Sequence, residues 1–182
     1  TWGCLVDDNF IESFIEKSDR DKEVIRREFA EKFLNINNRV FKNNQKDLVI
    51  NTHVCRGNYD STWFGQGGYD KIADELFGKE DVNAYYLEFD TERAGTFESL
   101  AKVSGDKKVV LGLITSKNPT LEEKETVISR IKEASKYIPL DRLYLSPQCG
   151  FASTEEGNRL TEEQQWAKLR FIKEIADEVW GS

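Results

Sequence analysis

Along this 182-residue chain, amphipathic stretches with a helical period alternate with short β-rich runs. Between 20 and 41, Ile25, Phe29, Phe33, Ile36 and Val40 recur at spacings of four, four, three and four. Charges such as Lys22, Arg26 and Arg27 lie between them, so the stretch predicts an amphipathic helix with those five residues on its inner stripe. "LVINTHVC" (48–55) predicts a strand, bounded by the Gly57-Asn58 turn signal, and "GGYDKIADELFG" (67–78) a helix between glycines. "NAYYLEFD" (83–90) follows as a strand, 95–103 as a short helix and "KVVLGLIT" (108–115) as a strand. A helix at 119–138, a strand at 142–147 and a helix at 161–180 complete the series. Thr120 and Thr161, each shortly followed by two glutamates, stand where helix caps belong. The opening "TWGCLVDD" reads as the end of a strand and its loop.

Strands alternating with helices predict an α/β fold with a parallel sheet and βαβ crossovers. Four such units plus a strand end suit either an open doubly wound sheet or part of a (βα)8 barrel. No linker or low-complexity segment divides the chain, so residues 1–182 read as a single domain. The chain lacks methionine and begins at Thr1 in mid-pattern, which suggests a piece of a longer protein.

Composition narrows the partners. Charged residues make up 32% and acids outnumber bases by 33 to 26, with no Lys/Arg block to follow a phosphate backbone, so nucleic acid is not an expected partner. The apolar runs fall far short of the ~20 residues of a membrane helix, and no signal-peptide layout opens the chain; no membrane association and a cytoplasmic location are the expectation. Three cysteines, Cys4, Cys55 and Cys149, are too few and too scattered for a disulfide scaffold.

The only histidine, His53, stands two residues from Cys55. In a strand these share a face at its C-terminal end, where parallel α/β folds assemble their sites. Glu88 and Cys149 occupy comparable strand-end positions, and together the four form a chemically reasonable Zn²⁺ set. A lone H-x-C pair more often belongs to a packed core, where cysteine is common; the recurrence of ligand types at three strand ends brings metal level with that reading.

"HVCRGNY", "YYLEFDTERAG" and "LYLSPQCGF" resemble the catalytic barrel of cobalamin-independent methionine synthases, in particular the short bacterial homologues. The resemblance implies a (βα)8 TIM barrel of which this chain is about the C-terminal half, the last four βα units. It implies zinc held by His53, Cys55, Glu88 and Cys149, and methyl transfer to the homocysteine thiol to form methionine. That activity is a 5-methyltetrahydropteroyltriglutamate-homocysteine S-methyltransferase type, with a 5-methyltetrahydrofolate as donor. A free thiol has a pKa of about 8.5, and zinc would hold it as the thiolate nucleophile. Glu88 is assigned a catalytic part as well, loosening as the substrate sulfur arrives. The implied partners are the two small-molecule substrates and the missing N-terminal half of the barrel, or another copy of the chain.

Full-length, folate-dependent members carry a pterin-protonating histidine where this chain has Ile114, Thr115 and Ser116. That departure leaves open a folate without polyglutamate, methylcobalamin or another methyl carrier as donor. Arg56 and Asn58, in the loop after the zinc pair, are candidate contacts for a substrate carboxylate, against the commoner reading as solvated loop residues. Arg93 and Glu92, likewise placed after Glu88, read as a structural ion pair more than as substrate contacts, "GQGG" (65–68) as a turn more than an anion-binding nest, and Trp63, Trp166 and Trp180 as core packing more than stacking on a pterin. Asp7 and Asp8 read as loop carboxylates or helix N-terminal residues, and Cys4 as a packing residue. Two other functions compete: an alkyl transferase acting on another thiol of the coenzyme M type, and a non-catalytic zinc-binding domain.

Overall fold

A computed structural model describes residues 2–15, 19–42 and 47–181. Four strands, β1 (Asn51–Val54), β2 (Ala84–Glu88), β3 (Lys108–Ile114) and β4 (Leu143–Pro147), form one parallel sheet whose spatial order is the chain order. The described helices are α1 (Trp2–Leu5), α2 (Asp8–Ile15), α3 (Lys22–Phe41), α4 (Ala73–Lys79), α5 (Lys124–Ala134) and α6 (Glu162–Trp180). A 3-10 segment, Phe97–Lys102, replaces a full helix between β2 and β3.

The strand order resolves the two architectures left open by the alternation of elements. A doubly wound sheet reverses at a switch point and carries helices on both faces. Here α3 meets α4, α4 meets the 3-10 segment, that segment meets α5, and α5 meets α6. The helices thus form one layer in chain order, as in the wall of a (βα)8 barrel. Period-two alternation divides the strands accordingly. Tyr85, Leu87, Val109, Leu111 and Leu143 are buried in the core shared with the helices, while Tyr86 and Tyr144, on the opposite face, are 40% and 41% exposed.

The N-terminus differs from its expectation: Trp2–Leu5 is a helical turn, and β1 pairs with β2 alone among the described strands. A short apolar run does not fix helix or strand by itself. Packing decides here, because the Trp2 ring meets Phe33 edge-on at 6.0 Å and its Nε1 donates to Glu80 Oε1 at 2.9 Å. Gly3 lies so close to β1 that an added Cβ would fall 1.9 Å from the Cys55 carbonyl oxygen. Thr1 lies outside the described residues.

The inner stripe of α3 also departs from its apolar spacing. Ile25, Arg26, Ala30 and Leu34 are buried, Phe29 and Phe33 are half-buried, and Ile36 and Val40 are 51% and 65% exposed. Polar anchors set this rotation: Arg26 reaches the Leu5 carbonyl and Asp8, and Asn37 donates to Glu80 Oε1 at 2.7 Å. Helix α5 begins four residues after Thr120, which therefore does not cap it; Glu122 instead accepts the Thr115 amide at 2.7 Å. Thr161 does cap α6, in a reciprocal box with Gln164. Asp7 caps α2, accepting the amides of Asn9 and Phe10. Trp63 and Trp166 are exposed rather than core residues. No helix among the described residues is long and apolar enough to cross a membrane.

Leu111, fully buried at the centre of β3, reports on this core. Leu111→Ala is expected to cost about 2–5 kcal/mol, read as a lower urea midpoint with an unchanged m value.

Candidate metal centre

The C-terminal ends of β1, β2 and β4 bring four side chains to one point. The ligand-type atoms of His53, Cys55, Glu88 and Cys149 all lie within 4.8 Å of one another. The Cys55 and Cys149 sulfurs are 3.4 Å apart, Cys149 Sγ is 3.5 Å from His53 Nε2, and His53 Nε2 is 3.7 Å from Glu88 Oε1. Residues as distant as His53 and Cys149, 96 positions apart, meet because parallel strands end together on one rim.

Each member is oriented by its neighbours. His53 faces Tyr86 across the β1–β2 register, and its Nδ1 lies 3.2 Å from the Tyr86 carbonyl oxygen. Donation from Nδ1 to that carbonyl leaves Nε2 turned toward the two sulfurs and the carboxylate. The Gly57 amide donates to Cys55 Sγ at 3.4 Å.

Glu88 is 1% exposed, and its two oxygens are divided. Oε1 accepts the Arg56 amide at 2.8 Å and the Cys149 thiol at 2.7 Å. Oε2 accepts Gln148 Nε2 at 3.2 Å and the Arg93 guanidinium at 3.4 Å. The buried Tyr69 hydroxyl brackets its main chain, accepting the Glu88 amide at 3.0 Å and donating to the Glu88 carbonyl at 3.2 Å. Gly112 pairs with Glu88 in the register, and a Cβ there would stand 2.8 Å from the Leu87 carbonyl oxygen. β3 can therefore supply no side chain at this level.

The four groups share their protons unevenly. The bond to Cys149, aided by His53, lowers the Cys55 thiol to about 4. Interaction with that Cys55 sulfur, then burial and the Glu88 carboxylate, pushes Cys149 well above the usual thiol range. Cys55 likewise raises His53. Fully deprotonated, the set would place three negative charges within 4.8 Å, which requires a compensating cation. One imidazole, two thiolates and one carboxylate suit a borderline-soft divalent ion.

Several residues sit otherwise than expected. Arg56, proposed above as a substrate contact, is 1% exposed. Its guanidinium stacks 4.2 Å from the Tyr69 ring centroid and donates to the Gly67 carbonyl at 2.6 Å, so it braces the loop instead of facing the mouth. Asn58 joins two loops: it donates to Gly150 O at 3.0 Å and Ser153 Oγ at 2.7 Å, and accepts Asn158 Nδ2 at 2.9 Å. The same two loops are held by an Asp60–Arg159 ion pair at 2.6 Å and by donation from the Ser61 amide to Asn158 Oδ1 at 3.0 Å. Arg93 pairs with Glu88 and Asp90 rather than Glu92, and lies 4.8 Å from the Trp63 ring centroid. In "GQGG" the Gln66 amide does meet an anion, but an internal one, Asp7 Oδ2 at 2.9 Å. Cys4, on α1, lies outside the four-residue group.

Tyr69, Arg93, Gln148 and Lys117 support the centre without having been singled out for that role from sequence. Only Gln148, beside Cys149, carried a positional signal. A cleft of about 560 Å³ adjoins these supports at the strand ends, lined in part by Trp63, Asp90, Thr115, Lys117 and Glu122.

A wall of parallel βα units with a metal-competent cluster at its C-terminal rim defines the class. The chain belongs to the family of the cobalamin-independent synthase catalytic domain, which it matches over residues 6–177. It is 56% identical over 135 residues to the uncharacterized protein YxjG of Bacillus subtilis, covering 74% of this chain and 36% of that one. The methionine synthase of Pyrococcus horikoshii is 27% identical over 103 residues, covering 57% and 27%. A solved structure from Listeria monocytogenes, provisionally described as a vitamin-B12 independent methionine synthase, superposes with a TM-score of 0.65 at 39% identity. That match covers 84% of this chain and 42% of the Listeria chain. The chain thus spans roughly a quarter to a third of these curated relatives' length and two fifths of the solved one's.

Were the centre to take up a divalent ion, its shared protons would make that uptake pH-dependent. Binding a divalent ion is expected to release a proton from Cys149 and, below the raised pKa of His53, a second from the imidazolium, so affinity rises with pH. Calorimetric titration with zinc in buffers of different ionisation enthalpy reads that number; no proton release at neutral pH would contradict the arrangement.

Proposed function

We propose that the chain carries the zinc-binding portion of a methyltransferase that moves a methyl group to the thiol of homocysteine to form methionine, with a 5-methyltetrahydrofolate as donor. One observation carries this reading. In a chain of the cobalamin-independent synthase family, His53, Cys55, Glu88 and Cys149 converge within 4.8 Å at the strand ends. Structural zinc sites favour closely spaced ligand pairs on one local segment, whereas these ligands come from three strands around an open rim, which favours catalysis.

Zinc bound there would supply a thiolate from the substrate thiol at neutral pH. The chain's own residues perform the remaining work. The Tyr86 carbonyl keeps His53 Nε2 facing inward, and the Arg56 amide aims Glu88 Oε1 at the same point. The cleft lined by Trp63, Asp90 and Lys117 offers room for the donor next to the supports of Glu88. The open sheet face, with Tyr86 and Tyr144 on it, calls for further strands, from additional polypeptide or a second copy, to complete the substrate pocket.

The test is methionine formation from homocysteine and a 5-methyltetrahydrofolate by the zinc-loaded chain together with the strands that complete the barrel. Cys149→Ser is expected to abolish turnover and to weaken zinc binding by more than the roughly 10–100-fold that follows loss of an outer partner. Turnover undiminished by Cys149→Ser, or a chain that takes up no zinc, would refute the reading.

A further inference from the structure

Gln148 immediately precedes Cys149, and its side-chain amide has two possible orientations. Its neighbours select one. Oε1 accepts the Thr115 hydroxyl at 3.0 Å and Lys117 Nζ at 3.2 Å. The NH2 group is therefore directed the other way, where Nε2 donates to Glu88 Oε2 at 3.2 Å. Reversed, the amide would set its oxygen against a carboxylate oxygen and its NH2 against an ammonium and a hydroxyl, two mismatches in place of three good bonds.

Burial makes this orientation matter. Gln148 and Lys117 are each 8% exposed and Glu88 1%, so little water screens the three. Lys117 lies beyond the end of β3, and its ammonium bonds the same amide whose other end meets Glu88. Thr115 steadies its own loop as well, its Oγ1 accepting the Lys117 amide at 3.2 Å. On the other side of Oε2 stands Arg93, itself fixed by the Gly65 carbonyl at 2.9 Å and Asp90 at 3.0 Å.

We propose that Lys117, with Thr115, sets the direction of the Gln148 amide, and that this amide holds Glu88 with Oε2 outward and Oε1 presented to the metal. Gln148 and Lys117 are thus positioning residues for the centre. The inference rests on the metal-binding reading above, and it adds residues from the end of β3, the strand that contributes no ligand. Without the amide, the outer oxygen keeps Arg93 alone, and the carboxylate is free to rotate about its last torsion.

Cobalt(II) titration of the chain together with the strands that complete the barrel tests this, with affinity from competition against a chelator and ligand geometry from the visible d–d bands. Gln148→Leu is expected to weaken cobalt binding about tenfold and shift those bands. Lys117→Met moves both readouts in the same direction by less, since Thr115 still orients the amide. Introduced into the Gln148→Leu background, Lys117→Met causes no further change, because its effect passes through the amide; that double variant also leaves no unpaired ammonium, so it keeps the fold. Wild-type affinity and spectrum in Gln148→Leu would overturn the proposal, as would an effect of Lys117→Met that persists without Gln148. A wild-type chain that binds neither cobalt nor zinc would sink the metal reading and this inference together, whereas metal-loaded variants indistinguishable from wild type would sink this inference alone.

Discussion

A carboxylate placed out of water must have its lone pairs matched or lose its charge. Glu88 meets that demand with the Arg56 amide, Arg93, Gln148 and the Cys149 thiol, while the Tyr69 hydroxyl holds its main chain, so that four separate stretches converge on it. Arg56 follows β1, Arg93 follows β2, and Gln148 and Cys149 follow β4, so satisfying one side chain fixes the relative placement of these three loops. The cluster of ligand atoms is the inner consequence of that constraint. The orientations of Arg93 and Gln148 are the outer one.

Buried cations act as struts in the same construction. Arg26 ties α3 to the Leu5 carbonyl and to Asp8, and Arg56 lies beneath the Tyr69 ring. Lys168, on α6, donates to the Thr120 carbonyl at 2.7 Å and lies 3.2 Å from Glu122, which in turn accepts the Thr115 amide. The last helix is thereby linked, through one carboxylate, to the strand end that orients Gln148. Such buried charges specify geometry more than they stabilise the fold, because desolvation offsets much of their attraction.

What was legible in the sequence follows from period and spacing. Alternating strands and helices were readable because β2, β3 and the later helices have clear patterns, and His53, Cys55, Glu88 and Cys149 were readable because each ligand type stands at a strand end. The rotation of α3 was not, since it is set by Arg26 and Asn37 reaching partners far along the chain, and polar anchors leave no apolar period. Trp2–Leu5 could not be told from a strand end, because its helical form depends on Phe33 and Glu80. The loop residue Arg56 looked free for substrate for a similar reason: the ring that covers it belongs to Tyr69, thirteen positions on.

The bridge between the loops after β1 and β4 has a different energetic character from the ligands beneath it. Its Asp60–Arg159 pair is exposed to solvent, where water and salt weaken the attraction. Asp60 and Ser61 hold this bridge with backbone φ of 43° and 64°, the left-handed region that non-glycine residues adopt at a cost of roughly 1 kcal/mol or more. The two loops are thus fastened on the solvent side by exposed groups and beneath by the buried carboxylate, so that added salt, which screens exposed charges, acts on the outer fastening and leaves the inner one in place.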